Sequence, residues 1–266
     1  MKNVDLLAYW ITERESIRRK KEAGLPRPWT TDPILHAHHF CNVHRQDDRT
    51  TKELQELGKG LAVVDLPWFY TMARLFNYAP TVKMALKYSR MTGKWGWTER
   101  EQLADELDKS SNKTFHTAYL VSTCGARMEK VGYVLNLTEM VSSKLIPYTC
   151  CQSAYEALRE IRGLGSFMAG QIIADLKNDR YLSDAPDKFS FAVMGPGSKK
   201  GLDYIYGGRT NHGNFLDRLT GVGVVLEQMG IGGIDNQDLQ SCLCEFSKFM
   251  RYKNQERGRV RYYDAT

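Results

Sequence analysis

Residues 153–179 read SAYEALREIRGLGSFMAGQIIADLKND, and no other stretch constrains the fold as tightly. Ala154, Leu158 and Ile161 recur at helical spacing, as do Met168, Ile172 and Leu176, and Gly163-Leu164-Gly165 separates the two stripes. The pattern is two helices joined by a tight hairpin, whose glycines let the chain turn without a Cβ penalty. Ser166 stands where it can cap the second helix, leaving that helix's first N–H groups facing outward at positive potential. Such a turn can grip a phosphate, but a generic helical hairpin uses the same residue types, so the segment alone leaves both readings open.

Helical periodicity continues through most of the 266 residues and strand-like alternation is scarce, so the expected class is all-α, with 1–266 as a single helical domain. Thr50-x-x-Glu53 and Thr98-x-x-Glu101 read as capping boxes that open helices. Pro67 suits a first helical turn, and Leu239, Cys242, Leu243, Phe246 and Met250 form one apolar stripe near the C-terminus. That stripe leaves Glu245, Lys248 and Arg251 on other faces. Loops are expected at 24–33, 195–208 and 230–235, where Gly and Pro cluster.

Several classes fall away on composition. The six cysteines contain no CxxC pair and read as reduced thiols rather than a disulfide framework. His36, His38, His39, Cys41 and His44 match no zinc or iron–sulfur spacing, so no metal and no cofactor is expected. GxxxxGK[ST] is absent, and no apolar run approaches the roughly 20 residues that cross a bilayer. With no secretory signal pattern at the N-terminus, the expectation is a cytoplasmic protein with no membrane partner.

The net charge of +6 is modest but unevenly placed. Lys248, Arg251, Lys253, Arg257, Arg259 and Arg261 face a single acid, Glu256, in a basic tail over 248–263, and Tyr252, Tyr262 and Tyr263 interleave with them. Aromatics among cations suit a surface that meets nucleic acid, although charge runs are also commonly plain solvated faces. A second run, Arg18-Arg19-Lys20-Lys21, lies near the N-terminus.

The 153–179 segment resembles the helix-hairpin-helix of DNA-repair glycosylases, in which the Gly-hydrophobic-Gly turn holds a DNA strand by its backbone. That resemblance implies DNA contacts from Gly163, Gly165 and Ser166, and a catalytic aspartate about twenty residues on, where Asp184 and Asp187 stand; Asp187 is preferred. Ser166-Phe167-Met168-Ala169 lacks the lysine of lyase-type glycosylases, so an amine nucleophile from the protein is not expected. Downstream, Met194–Gly201 reads as a flexible loop whose amides and two lysines suit an anion of phosphate type.

Four strings carry a second, wider resemblance: Pro-Trp-Thr-x-Asp-Pro-Ile-Leu (28–35), Phe-Cys-Asn-Val-x-Arg-x-x-Asp-Arg (40–49), Gly-Pro-Gly-Ser-Lys-Lys-Gly-Leu (195–202) and Leu-Cys-Glu-Phe-x-Lys-Phe-x-Arg (243–251). They resemble the phage thymine-hypermodification enzymes, which include alpha-glutamyl/putrescinyl-thymine pyrophosphorylases, amino acid:DNA transferases and the helical domain of 5-hydroxymethyluracil DNA kinases. The resemblance implies a two-lobed helical protein of the glycosylase-like superfamily. Its substrate would be duplex DNA whose 5-hydroxymethyluracil has been phosphorylated by an upstream kinase. An amino acid or polyamine would displace the (pyro)phosphate from a flipped-out base. The missing P-loop favours the transferase branch over the kinase. On this reading Asp187, with Asp48 in reserve, is the general base, and Lys200 joins Lys199, Gly195, Gly197 and Ser198 around the leaving group. Asn42, Arg45, Arg49, Glu245 and Lys248 contact base or phosphate, while Arg251, Arg257 and Arg259 contact DNA. A monofunctional glycosylase and a non-catalytic DNA-binding accessory remain as alternatives.

Overall fold

The computed structural model describes residues 1–89, 97–109, 113–116, 121, 123, 128–144, 146–147 and 149–256. In chain order its helices are α1 (Val4–Glu22), α2 (Pro33–Ala37), α3 (Arg49–Gly58), α4 (Leu66–Phe76), α5 (Ala79–Tyr88), α6 (Trp97–Lys109), α7 (Lys130–Ser142), α8 (Cys151–Arg159), α9 (Ser166–Leu176), α10 (Pro196–Tyr206), α11 (Phe215–Gln228) and α12 (Asn236–Lys253). Among the described residues there is no β-strand, and the protein is all-α. The chain divides into two compact units: Met1–Asp48 with Phe189–Thr266, and Arg49–Lys188.

In the first unit, α1 buries Leu7, Trp10, Ile11, Arg14 and Ile17, a spacing that puts all five on one stripe. Asp32 caps α2 by accepting from the amides of Ile34 (2.8 Å) and Leu35 (2.9 Å), with Pro33 at the first position. Asp235 caps α12 through the Asp238 amide at 2.9 Å. The α12 stripe predicted from sequence is buried along its length, Leu239, Cys242, Leu243, Phe246 and Met250 being joined by Phe249.

The segment expected to be a loop over 195–208 is mostly the helix α10, which corrects that reading. Pro196 occupies its first turn, and Ser198 Oγ both accepts from the Gly195 amide and donates to the Gly195 carbonyl, each at 3.0 Å. The glycines serve close packing against α12. A Cβ at 197 would strike the Cys244 side chain, and one at 201 would strike the Leu243 carbonyl oxygen.

In the second unit every residue of α4 is buried, and α7 and α9 pack against it. Arg74 on α4 makes a bidentate pair with Asp175 on α9 and also donates to Thr51 (3.1 Å) and Asn77 (3.2 Å), so four hydrogen bonds meet its buried charge. The α8–α9 hairpin forms as predicted, with Ala154, Leu158, Ile161, Met168, Ile172 and Leu176 buried. Gly163 turns at φ +108°, and a side chain there would also collide with Tyr133 and Leu137 of α7. The cap of α9 is Gly165, not Ser166, which sits inside the helix and makes no capping bond.

Thr50 and Thr98 likewise lie inside helices instead of capping them. Asp48, extended at φ −71° and ψ 131°, is the residue that precedes α3, so that helix starts at Arg49, and α6 starts at Trp97. Position 201 gives a test of the α10–α12 contact, because a backbone oxygen cannot step aside for a methyl group. Gly201→Ala should lower unfolding free energy by about 1–3 kcal/mol in denaturant titrations. Gly208→Ala, whose Cβ would meet only Arg218 at 4.0 Å, should change it by less than ~0.5 kcal/mol.

Candidate functional site

Residues 38–48 run beside α12, held in place from α1. The Arg14 guanidinium, 3% exposed, donates to the carbonyls of Phe40 (3.1 Å) and Cys41 (3.3 Å) and to Asn42 Oδ1 (3.4 Å). From α12, the Glu245 carboxylate accepts the Cys41 amide at 3.2 Å and the Lys248 ammonium at 2.9 Å. Lys248 also donates to the His39 carbonyl and lies 4.4 Å from the Phe40 ring centre. Asn42 donates its amide N–H to Asp48 Oδ1 (3.4 Å) and its Nδ2 to the Asp47 carbonyl (3.0 Å). Both ends of the Asn42 side chain therefore serve the shape of the segment.

A pairing that the sequence concealed joins His44 to Asp238. Nδ1 of His44 lies 3.1 Å from Asp238 Oδ2, and Oδ1 of the same carboxylate accepts the Arg45 amide at 3.1 Å. The hydrogen bond that the imidazole donates to Asp238 raises its pKa, with the charges of Asp238, Glu15 and Asp47 adding to it against the opposing effect of burial. The two residues are 194 apart in the chain. The readable sign was Asp235-x-x-Asp238 in a helix first turn.

The thiols here are held neutral. The Glu245 charge, then burial of the thiol, then Asp48 push Cys41 well above the usual range although the residue as a whole is exposed, and burial followed by Glu245 pushes Cys244 up to about 11. Neither is a thiolate nucleophile near neutral pH. The histidines of 36–44 turn to different partners: His38 stacks on Tyr252 at 4.0 Å between ring centres, while His44 faces Asp238. Among the described residues no group of three or more His, Cys, Asp or Glu is arranged around a metal position.

Lys199 and Lys200 belong to a helix rather than a mobile loop, and each has an acidic partner. Lys199 meets Asp203 at 3.1 Å, one helical turn on, and Lys200 meets Glu256 at 2.7 Å. Glu256 also accepts from the Tyr204 hydroxyl (2.6 Å) and Asn254 (3.2 Å), and these donors, Lys200 first, hold its carboxyl down to about 2. Arg251 lies over the Tyr252 ring at 5.1 Å, and Arg257 and Arg259 lie outside the described residues.

The first unit thus gathers Asn42, Arg45, Asp48, Glu245 and Lys248, together with Gly195, Gly197 and Ser198 at the start of α10. Asp187, Gly163, Gly165, Ser166 and Arg49 belong to the second unit. Arg49 is 90% exposed and 3.4 Å from Glu53. Asp187 has a structural task that sequence reasoning overlooked: its two oxygens accept the amides of Cys151 (2.7 Å) and Gln152 (2.8 Å) at the start of α8. Buried Lys177 holds the adjoining chain by donating to the Lys188 carbonyl at 2.9 Å. Burial, and then the Asp187 charge, drives the Cys151 thiol up to about 12.

An all-helical chain whose motif strings meet on one unit corresponds to a defined class. Residues 1–259 match the family described as 5-hmdU DNA kinase, helical domain, and the chain belongs to that family. A similar protein is the 5-hmdU DNA kinase of Bacillus phage SP10, 25% identical over 298 residues that cover 93% of this chain and 45% of the relative. The chain therefore spans less than half the length of that relative. No solved structure matches. Among the described residues no helix is long and apolar enough to cross a membrane.

Asp187→Ala should lower stability by about 0.5–2 kcal/mol through loss of the α8 cap, read as an earlier denaturation midpoint. The Glu256 carboxyl can be followed by NMR titration. Because its folded value is depressed, its contribution to stability is present above the ordinary 4.5 and fades as pH falls toward about 2. Lys200→Met should move the titration upward toward 4.5.

Proposed function

We propose that this chain acts on 5-hydroxymethyluracil in duplex DNA, transferring an amine from an amino acid or polyamine onto the 5-methylene carbon of the phosphorylated or pyrophosphorylated base. The observation that supports this reading is the family match over residues 1–259, laid on a unit that holds the 28–35, 195–202 and 243–251 strings and residues 40–48 of the fourth. In the reaction the amine lone pair forms the new C–N bond as the C–O bond breaks, and the (pyro)phosphate departs with the electron pair. A carboxylate removes the proton that the ammonium must shed. Asp48 takes that role, because it lies among the motif residues while both oxygens of Asp187 are committed to α8. Arg45 and Lys248 add further positive charge on that unit.

The α8–α9 hairpin, with Gly163, Gly165 and Ser166 at its turn, grips the DNA backbone in the manner of glycosylase-like proteins, assisted by Arg251, Arg257 and Arg259. The base swings out of the stack for reaction, after a 5-hydroxymethyluracil DNA kinase has phosphorylated it. A second reading is favoured by the length of the phage SP10 relative, of which this chain covers 45%. In it the chain is the DNA-engaging part of a larger kinase and performs no chemistry alone.

Mass spectrometry of nucleosides separates the readings. Duplex DNA carrying 5-phosphomethyluracil, incubated with the protein and glycine, glutamate or putrescine, should yield an aminated nucleoside, with Asp48→Asn slower by about 10²–10⁴-fold. Unchanged nucleosides together with salt-sensitive DNA binding would select the accessory reading. Release of free base and an abasic site would select a glycosylase.

A further inference from the structure

Within the first unit a cavity of about 420 Å³ opens between α1, residues 43–44 and the Gly230–Ile234 loop. None of the strings that prompted the family resemblance singles it out, apart from Val43 and His44. Its size falls in the range of small-ligand pockets, roughly 300–1,000 Å³. Ile11, Val43, Ile231 and Ile234 give it an apolar floor. Its rim is polar and mainly cationic, with Arg19, Lys20 and His44 against Glu15.

The rim charges are unequal in their commitments. Glu15 is already paired with Arg18 at 2.9 Å. Lys20 donates to the Trp29 carbonyl at 2.7 Å, a neutral acceptor that leaves its charge uncompensated. The exposed Arg19 guanidinium makes no ion pair among the described residues. His44 spends Nδ1 on Asp238, which orients the ring and leaves Nε2 to meet a ligand. At the mouth, a Cβ added to Gly230 or Gly232 would meet nothing within 4 Å, so the entrance is open.

From this geometry we infer that the cavity binds a phosphate monoester carried on a flat, uncharged ring, the ring lying on the isoleucine and valine floor and the phosphate held by Arg19, Lys20 and the His44 Nε2–H. An apolar floor beneath two cations and an imidazole donor calls for a ligand with both parts, and a dianion matches the rim better than a carboxylate does. The inference deepens the reading above, on which it rests only for the identity of the ring: a phosphorylated hydroxymethyl pyrimidine has this chemistry. Binding also follows pH. The hydrogen bond to Asp238 from α12 favours the cationic form of His44, burial opposes it, and the charges of Asp238, Glu15 on α1 and Asp47 in the turn before α3 favour it, while Arg19 and Lys20 of α1 line the same cavity. Binding is strongest where the ester has lost its second proton, near pH 6, and the imidazole still keeps its own. It declines as pH rises through the raised His44 value.

Benzyl phosphate is the probe, followed by NMR through the His44 ring resonances and by calorimetry. It should bind at least tenfold more tightly than inorganic phosphate or benzyl alcohol. Arg19→Ala and His44→Gln should each weaken it about tenfold or more, and Gly232→Leu should block it without altering any charge. Arg19 is exposed and unpaired among the described residues, so its replacement leaves the fold intact should His44→Gln disturb Asp238. Equal affinity in wild type, R19A and G232L, or no movement of the His44 resonances, overturns the proposal. The two readings fail separately. Benzyl phosphate held here without amine transfer removes the transferase, whereas transfer at the wild-type rate in R19A and G232L removes the pocket.

Discussion

The approach of α10 to α12 sets the frame for everything on the first unit. Hydrogen is the only substituent that fits at positions 197 and 201, because the Cys244 side chain and the Leu243 carbonyl occupy the space a methyl group would need. Two helices brought this close share side-chain neighbours, so residues at the start of α10 and in the middle of α12 come to one surface. The 40–48 segment then closes over α12 through Glu245 and Lys248. Packing at two glycines thus gathers chain segments about 150 and 200 residues apart in sequence.

The second unit uses charge in a different way. Arg74 and Asp175 are both buried, and such a pair holds only when every donor finds an acceptor. Thr51 and Asn77 add two further acceptors for Arg74, tying α3, α4 and α9 at one point. Asp187 performs a similar service at the surface, where its carboxylate replaces the missing acceptors of the first α8 amides. An acidic residue in the position expected for chemistry here also holds the start of a helix.

Much of the fold was legible because periodicity reports burial directly. The hairpin stripes and the α12 stripe follow from spacing alone, and Gly163 marks its turn because only glycine suits both its φ and the nearness of Tyr133. The 195–208 error has a clear physical origin: local propensity reads glycine as a breaker, whereas here glycine answers to the neighbouring helix. The misplaced caps at Thr50, Thr98 and Ser166 are displacements of one or two residues, the scale on which capping residues are ambiguous in sequence. The four motif strings located the unit that carries the candidate site. The roles within it were less readable, because hydrogen bonds such as His44 to Asp238 exist only once distant segments meet. Lys199 and Lys200 looked free for the same reason, their partners Asp203 and Glu256 being invisible to composition.

Arg14 and His44 hold the two parts of one short segment, and they answer to solvent differently. A guanidinium keeps its proton at any pH the protein meets, so the carbonyls of Phe40 and Cys41 are anchored permanently. The His44 imidazole is a tie that depends on a proton, and its hydrogen bond to Asp238 favours the charged form. Residues 40–42 thus hang on a charge that acidity leaves untouched, and residue 44 on one that acidity reinforces.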